Sequence, residues 1–223
     1  ECIREKGAVM YLDEYRLVRN SFLAALRPAV DSLLKFIEEN ALKVIGMEHT
    51  IDTVFPVIGA FTGSIDLLLA DADGNLVIVD MKWNEGKTYN RRLEKGNTLQ
   101  LALYRKAMET DGHKVVCEGY FVLPQRKFLT SVDYLQPSDI VEIIEGEQFG
   151  DHFELACNSY EYRMEQIEQG IIEEAEGFSL ADIQYHKDAN TRRLYPLERA
   201  YEDDTTKSSP YGRPNLILKG GLA

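Results

Sequence analysis

Between Leu12 and Glu39, apolar residues recur at three- and four-residue spacing (Leu17, Phe22, Leu26, Val30, Leu33, Leu34, Ile37), which predicts a long amphipathic helix ending near Asn40. The period then changes. Lys43 to Phe55 reads as a strand with a polar break in its register, and Pro56 to Gly63 as a turn. Two apolar runs follow, Gly63 to Ala70 and Asn75 to Trp83, separated by Asp71-Ala-Asp-Gly74. Asp-Gly tolerates the positive φ of a tight turn, so these runs predict an antiparallel hairpin. Asn84 to Asn97 reads as a polar, basic loop, too long for a passive connection in a compact domain, which points to substrate binding. Thr98 is placed to cap a helix through about Thr110, and Val115 to Leu123 forms the next strand. Pro137 to Gly150 and Phe153 to Glu176 read as helices. The tail from Ala181 to Ala223 has loop composition, with a short strand at Asn215 to Lys219. Its Tyr185, Tyr195, Tyr201 and Tyr211 alternate with basic residues; packing explains such tyrosines more often than stacking on single strands.

Chemistry enters with the polar residues inside those apolar runs. Asp66 interrupts Gly63-Ser-Ile-Asp-Leu-Leu-Leu-Ala70, and Asp80 and Lys82 end Asn75-Leu-Val-Ile-Val-Asp-Met-Lys-Trp83. The hairpin carries the two acids into one neighbourhood, and Asp80 and Lys82, two apart on a strand, share a face. The plainer reading makes the acids strand-end polar residues and Lys82 a solvent-facing charge. Against it, both acids sit among apolar neighbours, and charges are rarely buried unless paired or bound to metal. Two carboxylates suit Mg²⁺ or Mn²⁺, which take hard oxygen ligands and keep several waters. The matching chemistry is phosphodiester hydrolysis, with Lys82 acting on the attacking water or on charge developing at the phosphate. Gln100 and Tyr104 stand one turn apart on the following helix.

Composition narrows the class. With 223 residues and 44% hydrophobic content, one domain with a sizeable core is expected. No apolar run approaches membrane-spanning length, and no signal-peptide pattern opens the chain. Cys2, Cys117 and Cys157 are scattered, as in a reducing, cytoplasmic compartment. The net charge of -12 argues against a free-standing nucleic-acid binder, which is usually basic. Between Lys82 and Arg105, however, Lys82, Lys87, Arg91, Arg92, Lys95 and Arg105 face only Glu85 and Glu94, and much of the acid falls in Glu142 to Glu176.

Taken in order, Gly-x-Ile-Asp66, a hairpin, Val-Asp80-x-Lys82 and Gln100-x-x-x-Tyr104 resemble the PD-(D/E)XK nuclease superfamily, and within it the RecB/AddB-type branch, over about residues 48 to 124. The resemblance implies an α/β fold: a restriction-endonuclease-like core of mixed central sheet flanked by helices, at about 12–135, with helical C-terminal additions over about 136–223. It implies that Asp66, Asp80 and the Met81 carbonyl bind the metal, that Lys82 is the catalytic lysine, and that Gln100 and Tyr104 support it and contact the nucleic-acid backbone. Glu48 is placed like an acid on the preceding strand. Trp83, Lys87, Arg91, Arg92 and Tyr104 are the expected DNA contacts. The branch often carries an additional metal-ligating His on an N-terminal helix, which nothing before residue 49 supplies. The chain begins Glu1-Cys-Ile, so a fragment of a longer protein is expected. Three cysteines are too few for the iron–sulphur cluster that clamps some relatives. The expected function is a Mg²⁺- or Mn²⁺-dependent, exonuclease-like deoxyribonuclease in DNA repair or recombination, with a helicase domain or subunit as partner. The rivals are an inactive nuclease fold serving as a scaffold, and a metal-dependent enzyme acting on RNA or small nucleotides.

Overall fold

The computed structural model describes residues 12–83, 86–94, 96, 98–146 and 152–170. Six strands lie in chain order in one mixed sheet: β1 (Lys43–Phe55), β2 (Gly59–Ala70), β3 (Leu76–Lys82), β4 (Val115–Val122), β5 (Lys127–Thr130) and β6 (Val141–Ile143). β3 runs parallel to β4 and β5 to β6, while the other neighbours are antiparallel. One face is covered by α1 (Arg16–Glu39), the other by α2 (Lys87–Glu94) and α3 (Leu99–Thr110), and α4 (His152–Glu168) packs on α3. This is the restriction-endonuclease-like α/β core.

β3 explains the layering. Leu76-Val-Ile-Val79 is buried throughout, as a strand covered on both faces must be. Val77 and Val79 join Phe36, Leu67, Leu69, Phe121 and Phe128 beneath α1. Ile78 points the other way and joins Leu68, Ala70, Tyr104, Ala107 and Met108 beneath α3. Each such side chain, fully buried, contributes about 1.5–3 kcal/mol.

The stripe of α1 that reaches the sheet is Ala29, Leu33, Phe36 and Ile37. Leu17 and Leu34, apolar at helical spacing, remain exposed because they lie off that stripe. The helix passes through Pro28, which lacks the N–H that would bond the Ala24 carbonyl one turn back. At its end Asn40 Nδ2 donates to the Phe36 carbonyl at 2.8 Å.

The β2–β3 turn forms as the Asp-Gly signal requires. Gly74 has φ 81°, and Asp71 Oδ1 accepts the N–H groups of Asp73 and Asn75 at 2.9 and 2.8 Å. Tyr134 also donates to Asp71, and these bonds, Tyr134's foremost, hold its carboxyl down to about 2.

Three expectations are corrected. The turn predicted at Pro56 to Gly63 is shorter: Phe55 already pairs with Gly59, so β1 and β2 form a hairpin that outreaches its neighbours. The predicted Asn84 to Asn97 loop contains a helix, α2, because Tyr89 and Leu93, one turn apart, are buried against the sheet. Its basic exterior masked that apolar pair. Within the predicted Pro137 to Gly150 helix the described residues carry β6, paired with β5; Ser138 Oγ accepts the N–H groups of Ile140 and Val141 and turns the chain into it. The 181–223 tail, Cys2, Lys95, and the end of the predicted Phe153 to Glu176 helix lie outside the described residues. No described helix is long and apolar enough to cross a membrane.

Candidate active site

β2 and β3 pair from Ala70↔Leu76 to Leu67↔Val79 and then part. Beyond that point β2 stays with β1, while β3 stays with β4 as far as Lys82↔Val122. Asp66 and Asp80 are the first residues past the last β2–β3 pair, one on each side of the fork. Asp66 Oδ2 accepts the Met81 N–H at 2.6 Å, satisfying a donor that has no cross-strand partner on β2. Strand alternation turns Asp80 and Lys82 to the α3 face, with Ile78, and sends the Met81 side chain into the core under α1.

Asp80 is 1% exposed, and burial raises its carboxyl above the ordinary range, opposed by the Lys82 ammonium. Lys82 Nζ lies directly against Asp80 Oδ2, so the buried carboxylate is ion-paired with the lysine. Lys82 Nζ also donates to Gln100 Oε1 at 3.4 Å, and Gln100 Nε2 donates to the Tyr104 hydroxyl at 2.9 Å. A continuous polar line therefore runs Asp80, Lys82, Gln100, Tyr104. Gly63 lies close beneath it: a Cβ there would stand 3.1 Å from the Tyr104 ring and 3.2 Å from that of Phe61, so a side chain would push those rings by a few tenths of an ångström.

The other expected residues fall around this line. Glu48 sits on β1 at φ 49°, exposed, and accepts a bond from Ser64 at 3.2 Å. Its backbone stands opposite Asp66, between the Met47–Leu67 and His49–Ile65 pairs, yet among the described residues no three His, Cys, Asp or Glu side chains cluster as a metal site. Trp83, 40% exposed, packs its ring 4.6 Å from that of Phe22 on α1. Lys87, Arg91 and Arg92 are exposed on α2. Cys117 and Cys157 are both buried.

Two residues that sequence reasoning passed over complete the surroundings. Tyr120 pairs with Asp80 across β3–β4, is 1% exposed, and holds its ring 5.9 Å from Lys82 Nζ. The Tyr89 ring packs against it, tilted by 44° with the centroids 4.9 Å apart. The signal for Tyr89 was its four-residue spacing from Leu93; for Tyr120 only its place in an apolar strand was visible. A cavity of about 1140 Å³ opens on the other side of α3, lined by Thr98, Arg105, Glu118 and His152 among others. It contains none of Asp66, Asp80, Lys82 or Gln100, and its Arg105 is already engaged by Glu118, Glu109 and the Val115 carbonyl. The β2–β3 fork, by contrast, brings the buried Asp80 carboxylate against a partly exposed lysine.

Residues 5–188 match the PD-(D/E)XK nuclease superfamily. The chain belongs to that superfamily. A search of curated proteins returned no match. PD-(D/E)XK nucleases use divalent metals, and the fork suits one: Asp66, Asp80 and the Met81 carbonyl are hard oxygen donors, and Asp66 and Asp80 stand on the two sides of the opening.

Proposed function

We propose that the chain is a Mg²⁺- or Mn²⁺-dependent deoxyribonuclease, exonuclease-like, of the RecB/AddB-type branch. It would act in the cytoplasm on DNA in repair or recombination, beside a helicase domain or subunit. One observation carries this reading: the line from Asp80 through Lys82 and Gln100 to Tyr104, begun at the fork that Asp66 bridges. A decayed scaffold would have no reason to keep a buried carboxylate, a lysine and a helix amide in register with one another.

In this reading Asp66, Asp80 and the Met81 carbonyl hold the metal, which when bound activates water and offsets charge on the phosphate oxygens. Lys82, drawn from Asp80 toward the substrate, orients or deprotonates the attacking water or stabilises the transition state. Gln100 fixes the Lys82 ammonium, and Tyr104 fixes Gln100 and faces the strand backbone. Lys87, Arg91 and Arg92 supply phosphate contacts on α2, while Trp83, packed on Phe22 of α1, offers its ring from the opposite face of the sheet. Glu48, on the neighbouring strand, is the nearest candidate for a further acid and needs a change of side-chain position to join the site.

The test is direct. Linear duplex, circular duplex and single-stranded DNA, and RNA, are incubated with the protein with and without Mn²⁺. Degradation of linear but not circular DNA, only with metal, is expected. RNA cleavage alone would favour the RNA reading, and binding without cleavage the scaffold.

A further inference from the structure

β3 and β4 run parallel, so their C-terminal ends share one edge of the sheet, the edge where parallel strands of an open α/β sheet meet their ligands. Lys82 stands at this edge, paired with Val122, and the Leu123 N–H donates to the Lys82 carbonyl at 2.9 Å. The segment that follows Val122 therefore begins on the backbone of the lysine itself. It is a tight turn, Leu123-Pro-Gln-Arg126, that returns the chain into β5 at Lys127. Arg126 closes it: its N–H donates to the Val122 carbonyl at 2.8 Å and is shared with that of Leu123 at 3.2 Å. The turn also meets the start of α2, since the Gln125 side chain fills the space where a Cβ on Gly86 would stand.

Closing the turn holds Arg126 at φ 58°, in the left-handed region. That conformation suits glycine or asparagine, and it strains other residues by crowding Cβ against the following carbonyl. The turn needs a left-handed residue at this position, and it has no need of an arginine. Nor does the fold use the side chain: Arg126 is exposed and forms no ion pair with the described residues. Its neighbour Lys127, by contrast, lies 3.8 Å from Glu142. A strained backbone position that carries a charge the fold does not use points to a ligand. A forked guanidinium matches phosphate oxygens. Resting on the nuclease reading, we propose that the β4–β5 turn is a further DNA contact, in which Arg126 holds a backbone phosphate of the bound strand away from the one that is cut. Such a contact fixes where the strand lies along the Lys82 edge and takes no part in breaking the bond.

Arg126→Gly separates the two sides of this residue, because glycine relieves the backbone while the charge is lost. Fluorescence anisotropy of a labelled linear duplex in EDTA should show affinity about three- to tenfold weaker, with a log–log salt slope smaller by about one. The melting temperature should stay level or rise. In single-turnover cleavage with Mn²⁺, the enzyme concentration giving half-maximal rate should rise by the same factor as the affinity falls. Arg126→Lys should keep the slope, and so should Lys127→Ala, one residue on but paired with Glu142. Unchanged affinity and slope in Arg126→Gly overturn the proposal. An equal loss in Lys127→Ala also overturns it, by making the effect one of net charge, as does a slower rate with the half-maximal concentration unmoved. If Arg126→Gly melts lower, Arg126→Asn, which tolerates the left-handed region, and Arg126→Lys decide by the same slope. The underlying reading fails separately: a wild-type chain that neither binds nor cleaves DNA removes the site, whereas a wild type that does both beside an unaltered Arg126→Gly removes only the turn.

Discussion

Asp66 accepts the Met81 N–H at 2.6 Å across the point where β2 and β3 separate. This bond ties the two strands together one residue past their last regular pair, and it turns the Asp66 carboxylate toward the backbone next to Asp80. Opening a sheet strands donors and acceptors that water or a side chain must satisfy. Here one carboxylate oxygen does so, one residue along the strand from the buried Asp80.

Asp80→Asn should abolish metal-dependent cleavage, because a neutral amide binds Mg²⁺ far more weakly than a carboxylate. The fold should survive. Burial raises the Asp80 carboxyl, so its protonated form is favoured in the folded state. The stability this provides is full below the ordinary carboxylate range and lost as pH rises through the raised value. In EDTA, the melting temperature of the wild type should therefore fall relative to Asp80→Asn between acidic and neutral pH. Parallel pH profiles, or unchanged cleavage by the variant, would count against the assignment.

Lys82→Ala should lose most turnover while retaining Mn²⁺ binding, since the lysine acts on water or the phosphate and not on the cation. Titration calorimetry checks this: affinity that collapses together with activity would make Lys82 structural. Met81→Ala should be mild by comparison, because its side chain only packs beneath α1 while its backbone serves the site.

Gln100→Ala and Tyr104→Phe should each slow cleavage about ten- to a hundredfold with metal affinity retained. Each removes a neutral hydrogen bond worth on the order of 1 kcal/mol, or more where it holds a charged group. The Gln100 variant should show the larger effect, because Gln100 bonds Lys82 directly, whereas the Tyr104 hydroxyl reaches it only through Gln100. Equal or reversed effects would break the order of the line.

Lys87→Ala combined with Arg91→Ala should weaken DNA binding and flatten its salt dependence by about one to two in log–log slope, because that slope scales with the number of phosphates the protein neutralises. A fluorescence anisotropy titration across salt concentrations measures it; an unchanged slope would remove α2 from the DNA path.

Glu118→Gln should destabilise the fold by about 2 kcal/mol, less than a fully buried pair loses, since the Arg105 and Glu118 side chains are 28% and 17% exposed. Urea unfolding should show a lower midpoint with an unchanged slope. A shift near zero would mean that Glu109 and the Val115 carbonyl suffice for Arg105.

Much of the molecule follows from local rules that a chain carries in its own order. The Asp-Gly turn, the apolar run of β3 and the four-residue step from Gln100 to Tyr104 are short-range features, and short-range sterics and period decide them. From these alone the shared face of Asp80 and Lys82 could be read. The residues that depend on distant segments could not. α2 is a helix because Tyr89 and Leu93 find Tyr120 and Val122 to cover them, and no local pattern announces a surface on another strand. β6 is a strand because β5 offers an edge, which outweighs the helical spacing of its own residues. The fork that brings Asp66 to Met81 exists only because β2 keeps β1 while β3 keeps β4, a choice made by long-range pairing and invisible in either strand.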